Sequence, residues 1–257
     1  MAGSSGVTPQ YLRDGFLRGL LSAIPSLADP SLDGQLADAI AQGEAQVQRD
    51  LGTRFQVTHF LPQMDAGTPP VLADGMEYEF PYTWPGRVPG DGFARLKVRV
   101  RPIVQVVSMN LYVPGALIPN FQVPANWLRV DRQTHEIMVA PTAGSAAYAL
   151  AFGQGFMNWR LPATVQLEYL AGLDEAGLAQ WPQIKRLVAL RSMLLLMPTM
   201  SLWVNPGQFS SESADGLTQS RNSAYMFKDM EDRLEKEAEA LINRILDVWE
   251  GPSVLYL

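Results

Sequence analysis

The residues that could do chemistry are few, and their spacing argues against most of it. The chain has two histidines, His59 and His135, and no cysteine. Neither histidine stands in an H-E-x-x-H or similar ligand spacing, so neither a zinc site nor a thiolate site is expected. Glu77 and Glu79 would share a face on a strand, where a carboxylate pair can do acid–base work. They lie among prolines, however, and a surface pair in a loop is the plainer reading. The stretch Ser210 to Ser223 is rich in hydroxyls, but it has no G-x-S-x-G elbow and no histidine close in sequence. Gly153 and Gly155 are not followed by a helix start, so a phosphate-cradling loop is not supported. The densest charge is Arg95, Lys97, Arg99 and Arg101, four cations at every second position. They could grip an acidic neighbour or a phosphate, or they could charge a strand edge against unwanted pairing. No reaction, metal or cofactor is expected.

The elements that would position these residues fall into two kinds. Thr8-Pro9 and Asp29-Pro30 each pair a capping residue with a proline suited to the first turn. Tyr11, Leu12, Phe16 and Leu20 then supply one apolar face. Leu32, Leu36, Ile40, Val47 and Leu51 supply a second, with Gly52 as its stop. Near the other end, Pro182 opens an apolar segment covering more than one helical face: Ile184, Leu187, Val188, Leu190, Leu194, Leu195 and Met197. Lys185, Arg186 and Arg191 are its polar strip, and Pro198 should disturb or end it. After a polar break from Asn205 to Ser223, in which Asp215-Gly216 favours a turn, a charged helix over Ala224 to Trp249 is expected. Its apolar residues, Met230, Leu234, Ala238, Leu241, Ile245 and Val248, form one narrow seam.

Between the helix pairs the pattern is that of short strands. Leu61 to Gly92, with Pro62, Pro69, Pro70, Pro81, Pro85 and Pro89, reads as a long irregular excursion. Phe93 to Arg101 alternates strictly and reads as a half-buried strand, and Ile103 to Tyr112 as another. Trp127 to Val130 and Glu136 to Val139 suggest a hairpin, with Ala147 to Phe152 and Val165 to Leu170 as two more strands. The expected fold class is α+β: a helical-bundle core of two N-terminal and two C-terminal helices, carrying an inserted antiparallel β domain. The expected domains are 1–54 with 171–250 as the helical core, 55–170 as the insert, and 251–257 as an apolar tail. The ends of the insert must lie close together for the helices to meet. Leu36, Ile40, Val47, Leu187, Leu194, Leu234 and Leu241 are expected to share one core.

Composition narrows the function classes. With 257 residues and 47% hydrophobic content, the chain can bury a sizeable core. Its formal net charge is −6, whereas proteins that hold nucleic acid through phosphates are usually basic. No run of residues is apolar enough to span a bilayer, and the first residues do not read as a signal peptide.

One succession carries a family resemblance. Val165-Gln-Leu-Glu-Tyr169-Leu-Ala-Gly172 is followed by Trp181-Pro-Gln-Ile-Lys185 and a Leu-rich helix. Then come Ser-x-Ser-x-Asp215-Gly-Leu-Thr-x-Ser220 and a charged helix. In this order the chain resembles the head-to-tail adaptor proteins of tailed double-stranded DNA bacteriophages, also called head-tail connector or head-completion proteins. The likeness covers about the last third, and Asp29 to Phe55 resembles the family's early helix more loosely. It implies a dodecameric ring in the phage neck, assembled in the host cytoplasm, with the portal protein on one side. A tail, stopper or completion protein would lie on the other side, and DNA would pass through the lumen without specific binding. It places the C-terminal part at the portal, here Val254, Leu255, Tyr256 and Leu257. The mixed charges of Lys185, Arg186, Arg191, Lys228, Glu231, Arg233 and Glu235 suit a head-to-tail ring contact. The alternative is a virion module that binds carbohydrate or protein through the β insert; an aromatic-lined concavity there would favour it.

Overall fold

A computed structural model describes residues 5–18, 29–63, 72–84, 94–112, 120–131, 134–140, 161–204, 210–214, 217–221 and 227–250. The fold is α+β, with helices and both mixed and antiparallel sheets. The chain divides into two compact units. One comprises 1–3, 52–175 and 247–257; the other comprises 4–51 and 176–246.

The first unit is built on β strands: β1 (Thr58–Pro62), β2 (Met76–Glu79), β3 (Tyr82–Trp84), β4 (Ala94–Lys97), β5 (Ile103–Tyr112), β6 (Asn120–Gln122), β7 (Leu128–Asp131), β8 (Glu136–Val139) and β9 (Leu161–Ala171). The larger sheet has the order β2-β1-β9-β5-β6, and β3 also pairs with β9. A smaller antiparallel sheet has the order β4-β8-β7. Strand periodicity selects the core. On β9, Val165, Leu167, Tyr169 and Ala171 are buried while Gln166 and Glu168 are not. These residues join Phe60, Trp84, Leu96, Met109, Leu111, Trp127 and Ile137 in one apolar cluster.

Three features of this unit depart from the expectation of a purely antiparallel insert with one long excursion. β1 and β2 pair in parallel, so the larger sheet is mixed. The proline-rich stretch also holds β2 and β3, because Tyr82 and Trp84 gain buried places beside β9. The strand expected over Phe93 to Arg101 ends at Lys97, and the chain then bends through 99–102. Burial still alternates through Val98 and Val100, then fails at Arg101, which is buried as well. The expected strand Ala147 to Phe152 and the tail Ser253 to Leu257 lie outside the described residues.

The two ends of the unit meet. The Leu173 N–H donates to the Arg54 carbonyl at 2.8 Å, and the Arg101 N–H donates to the Gly52 carbonyl at 2.8 Å. Gly172 makes the approach possible. Its φ is +122°, and a Cβ there would stand 2.2 Å from the Gln56 carbonyl oxygen, so only glycine fits.

The second unit is mainly helical. It holds α1 (Pro9–Leu12), which runs into a π-helical turn (Arg13–Leu17), and α2 (Asp33–Leu51), entered by a 3-10 turn (Pro30–Leu32). It also holds α3 (Glu175–Gln180) from Ala176 on, α4 (Pro182–Val204), the hairpin β10 (Ser210–Ala214) and β11 (Leu217–Arg221), and α5 (Lys228–Glu250) as far as Leu246. The last residues of α5, Trp249 among them, belong to the first unit. Thr8 and Asp29 cap as expected, accepting from the N–H groups of Tyr11 at 3.2 Å and Ser31 at 2.8 Å. α2 and α4 pack along one another. Gly43 lets them approach closely, because a Cβ there would be 2.6 Å from Ser192 Oγ and 3.0 Å from the Ser192 nitrogen. Pro198 does not end α4; the helix continues to Val204, with Leu196, Met197 and Met200 buried around the proline. The polar break contains a paired hairpin rather than only loop. Leu36, Ile40, Val47 and Leu187 are buried as expected, whereas Leu194, Leu234 and Leu241 are half-buried. The α5 seam is narrow and centred on Ala238, so it buries fully only at Ala238, Ile245 and Trp249.

Candidate interaction surfaces

The cationic strip of α4 is largely committed inside its own unit. Arg191 donates to Asp50 at 2.9 Å, tying α4 to the last turn of α2. Arg186 donates through Nε to Glu237 of α5 at 2.7 Å. The Lys185 ammonium sits 4.5 Å from the centre of the Tyr11 ring, a cation–π contact. Of the residues expected at a ring contact, the structure therefore spends Lys185, Arg186 and Arg191 internally. It leaves Lys228, Glu231, Arg233 and Glu235 exposed on α5. The sequence could not reveal this, since Arg191 and Asp50 are 141 residues apart.

The four cations around β4 are dispersed rather than gathered on one solvated face. Arg95 lies 3.8 Å from Glu136 on the neighbouring strand. Lys97 is exposed. Arg99 donates to the Phe80 carbonyl at 2.8 Å, approaches Glu79 at 3.5 Å and stacks 4.4 Å above the Tyr82 ring. Arg101 is only 8% exposed. The bend after Lys97 turns it inward, so this arrangement cannot present four cations to one phosphate-bearing partner.

The paired glutamates have separate duties. Glu77 accepts from Nε and Nη2 of Arg54, at 2.8 and 2.7 Å, and this bidentate contact holds the guanidinium charged. Glu79 is buried near Tyr82 and Tyr169, whose hydroxyls lie 3.2 Å apart. Burial first, and then the neighbouring Glu79 charge for Tyr82, pushes both phenols well above the ordinary tyrosine range. Phenols so strongly held in the neutral form are poor general bases near neutral pH. They act here as bonded anchors of the sheet.

The histidines are likewise bonded into the β unit. His59 Nε2 lies 3.0 Å from Glu168, whose other oxygen accepts from Ser108 at 3.0 Å. The three residues stand on adjacent strands β1, β9 and β5. Ser108 bonds to the carboxylate rather than to the imidazole, so the serine–histidine contact of a nucleophilic triad is not made. His135 packs edge-on against Trp249, with ring centres 6.3 Å apart. Among the described residues, no group of three or more His, Asp or Glu could hold a metal ion.

One open groove of about 350 Å³ lies on the β unit, lined by Ile103, Val104, Gln105, Val106, Ala125, Leu128 and Val130. Its lining side chains are aliphatic apart from Gln105, with no aromatic ring for a sugar face to stack on, so it lacks the feature that would favour carbohydrate binding. No described helix is long and apolar enough to cross a membrane. Val254, Leu255, Tyr256 and Leu257, the residues expected at a portal contact, lie outside the described residues. No protein-family model matches the chain, and a search of curated proteins finds no match either.

Proposed function

We propose that this chain is a structural protein of the tailed-phage neck, a ring-forming adaptor between the portal and the tail side, with DNA passing through its lumen. The observation that carries the reading is where the family-like succession falls. Tyr169 to Gly172 ends β9, Trp181 to Lys185 opens α4, and Ser211 to Ser220 spans the β10–β11 hairpin ahead of α5. A dodecameric ring, virion localisation, and a tail, stopper or completion protein beneath it belong to the same proposal. Val254 to Leu257 are its portal contact.

The physical support is an unfinished surface. α5 presents Glu231, Arg233 and Glu235 to solvent beside a seam whose Leu234 and Leu241 are half-buried. Mixed charge over a partly wet apolar stripe suits a partner whose own stripe completes the burial. In the assembled ring, α5 would complete a helical bundle with the two N-terminal helices and α4. A net charge of −6 favours passage of DNA over adhesion to it.

Electron microscopy of the purified protein, alone and mixed with a portal ring of the same virus, tests this directly. Rings coaxial with the portal are expected. Persistent monomers under both conditions, at low and moderate salt, would overturn the proposal.

A further inference from the structure

The hairpin is the one described sheet with only two strands. Its register pairs Ser210 with Arg221, Ser211 with Ser220, Glu212 with Gln219, Ser213 with Thr218 and Ala214 with Leu217. Among the described residues no third strand joins it. A two-stranded ribbon by itself is marginal in water. This one is also poor in strand-forming residues: its ten positions include four serines and one threonine.

The register also decides which backbone groups are free to bond outward. With Ala214 opposite Leu217, two residues connect the strands, and Asp-Gly is a favoured pair at such a connection. Pairs in an antiparallel ladder alternate between those that bond each other and those whose N–H and C=O point away. The pair next to a two-residue connection is of the bonded kind. Counting from it, the outward groups belong to Ser211 and Ser213 on β10 and to Thr218 and Ser220 on β11. Each long edge thus offers two donors and two acceptors. Neither strand contains the lysine or proline that commonly blocks an exposed edge.

We infer that the hairpin is a joint between copies of this chain, in which the β11 edge of one copy pairs with the β10 edge of the next. The two strands run antiparallel. Copies set side by side in the same orientation therefore bring β11 against β10 with antiparallel polarity, identically at every joint. A different protein could satisfy one edge but would leave the other open. The strands also carry opposite charges, Glu212 on β10 and Arg221 on β11. The contact is heterologous, so it repeats until the ring closes. This inference rests on the ring reading above and names the joint that reading leaves open.

The test uses the full-length chain, alone and with a portal ring of the same virus. Ser213→Pro removes an outward donor while leaving the internal ladder of the hairpin intact. It should raise the concentration for half-assembly about tenfold or more, with the melting temperature of the unassembled protein unchanged. Since the chain has no cysteine, a mixture of Ser211→Cys chains with Ser220→Cys chains reports only contacts between molecules. Mild oxidation should cross-link the mixture into dimers, and either variant alone should cross-link far less. If wild type forms rings while Ser213→Pro assembles equally well and the mixture does not cross-link, the joint is wrong and the ring stands. If Ser211→Cys cross-links only to a cysteine-bearing portal subunit, the occupant is another chain and the inference fails. If wild type never assembles, with or without portal, the ring reading fails and takes the joint with it.

Discussion

α4 and α5 are both 23 residues long, but they meet water in opposite ways. On α4, Ile184, Leu187, Val188, Ala189, Leu190 and Met193 are completely buried. Its apolar residues surround the helix, and the chain itself covers most of them, with α2 as the extended partner; Leu194 is half-buried and Leu195 exposed. On α5 one seam is apolar and it is dry only at Ala238, Ile245 and Trp249, while Glu231, Arg233 and Glu235 face outward. The difference separates a helix that completes its packing within the fold from one that leaves packing unfinished. A buried Leu is worth about 1.5–3 kcal/mol relative to an exposed one, so finishing the α5 seam gives a real driving force for association.

The largest effect should come from cutting into the finished helix. Leu187→Ala removes a fully buried side chain and should destabilise the helical unit by about 2–5 kcal/mol in chemical denaturation. Leu234→Ala, on the half-buried seam, should cost less than about 1.5 kcal/mol in the unassembled protein. Equal losses at the two sites would break the comparison, because they would mean that α5 is already sealed.

Gly43 sharpens the same contrast at the α2–α4 contact. A Cβ there meets Ser192 Oγ at 2.6 Å, the Ser192 nitrogen at 3.0 Å and the Val188 carbonyl oxygen at 3.2 Å. Two of these three are backbone atoms and cannot rotate away. Gly43→Ala should therefore cost about 1–3 kcal/mol through overpacking, offset by up to about 1 kcal/mol of helix propensity. Adding Ser192→Ala removes only the hydroxyl clash, so thermal melting of the double variant should show partial recovery. Full recovery would mean that the helices are free to move apart. A smaller effect is expected at the exposed Arg186–Glu237 pair, whose side chains are 58% and 39% exposed. Glu237→Gln should change stability by at most about 1 kcal/mol and less still in high salt.

Local signals were legible in the sequence and long-range ones were not. Asp29 and Pro30 start a helical turn, Pro182 starts α4, and Gly52 follows α2 with φ at +59°, as its role as a stop requires. The alternation of Leu96, Val98 and Val100 correctly assigned the buried face. What failed needed knowledge of distant partners. Parallel pairing of β1 with β2 leaves no mark on either strand alone. The inward turn of Arg101 follows from a bend after Lys97 that no periodicity announces. The hairpin was hidden because serine disfavours strands, although Asp215-Gly216 marked its connection. On α5 the outward charge follows from helical spacing and was legible; on α4 the partners of Arg191 and Arg186, Asp50 and Glu237, lie 141 and 51 residues away and were not.

The subtlest difference between the two units is their response to mild acid, because both histidines, His59 and His135, belong to the β unit. His135 adopts φ of +52° beside the β7–β8 connection and packs against Trp249. Burial lowers its pKa from 6.5, the nearby Arg101 guanidinium lowers it further, and Asp131 opposes them weakly. The imidazole is therefore neutral in the fold at a pH where the unfolded chain has begun to protonate. Above pH 6.5 both states are neutral and nothing is lost. As pH falls below that value, the unfolded state binds the proton first, and stability declines until the lowered folded pKa is passed. Amide exchange near β7 and β8 should accelerate as pH falls through the region of 6.5, once corrected for the intrinsic rate, whereas exchange in α2 and α4 should not. His135→Asn keeps a residue that tolerates positive φ and removes the titration, so it should flatten the acid limb of the β unit. An unchanged limb in that variant would show that the sensitivity lies in another group. An equal acceleration in α2 and α4 would show that the two units open as one.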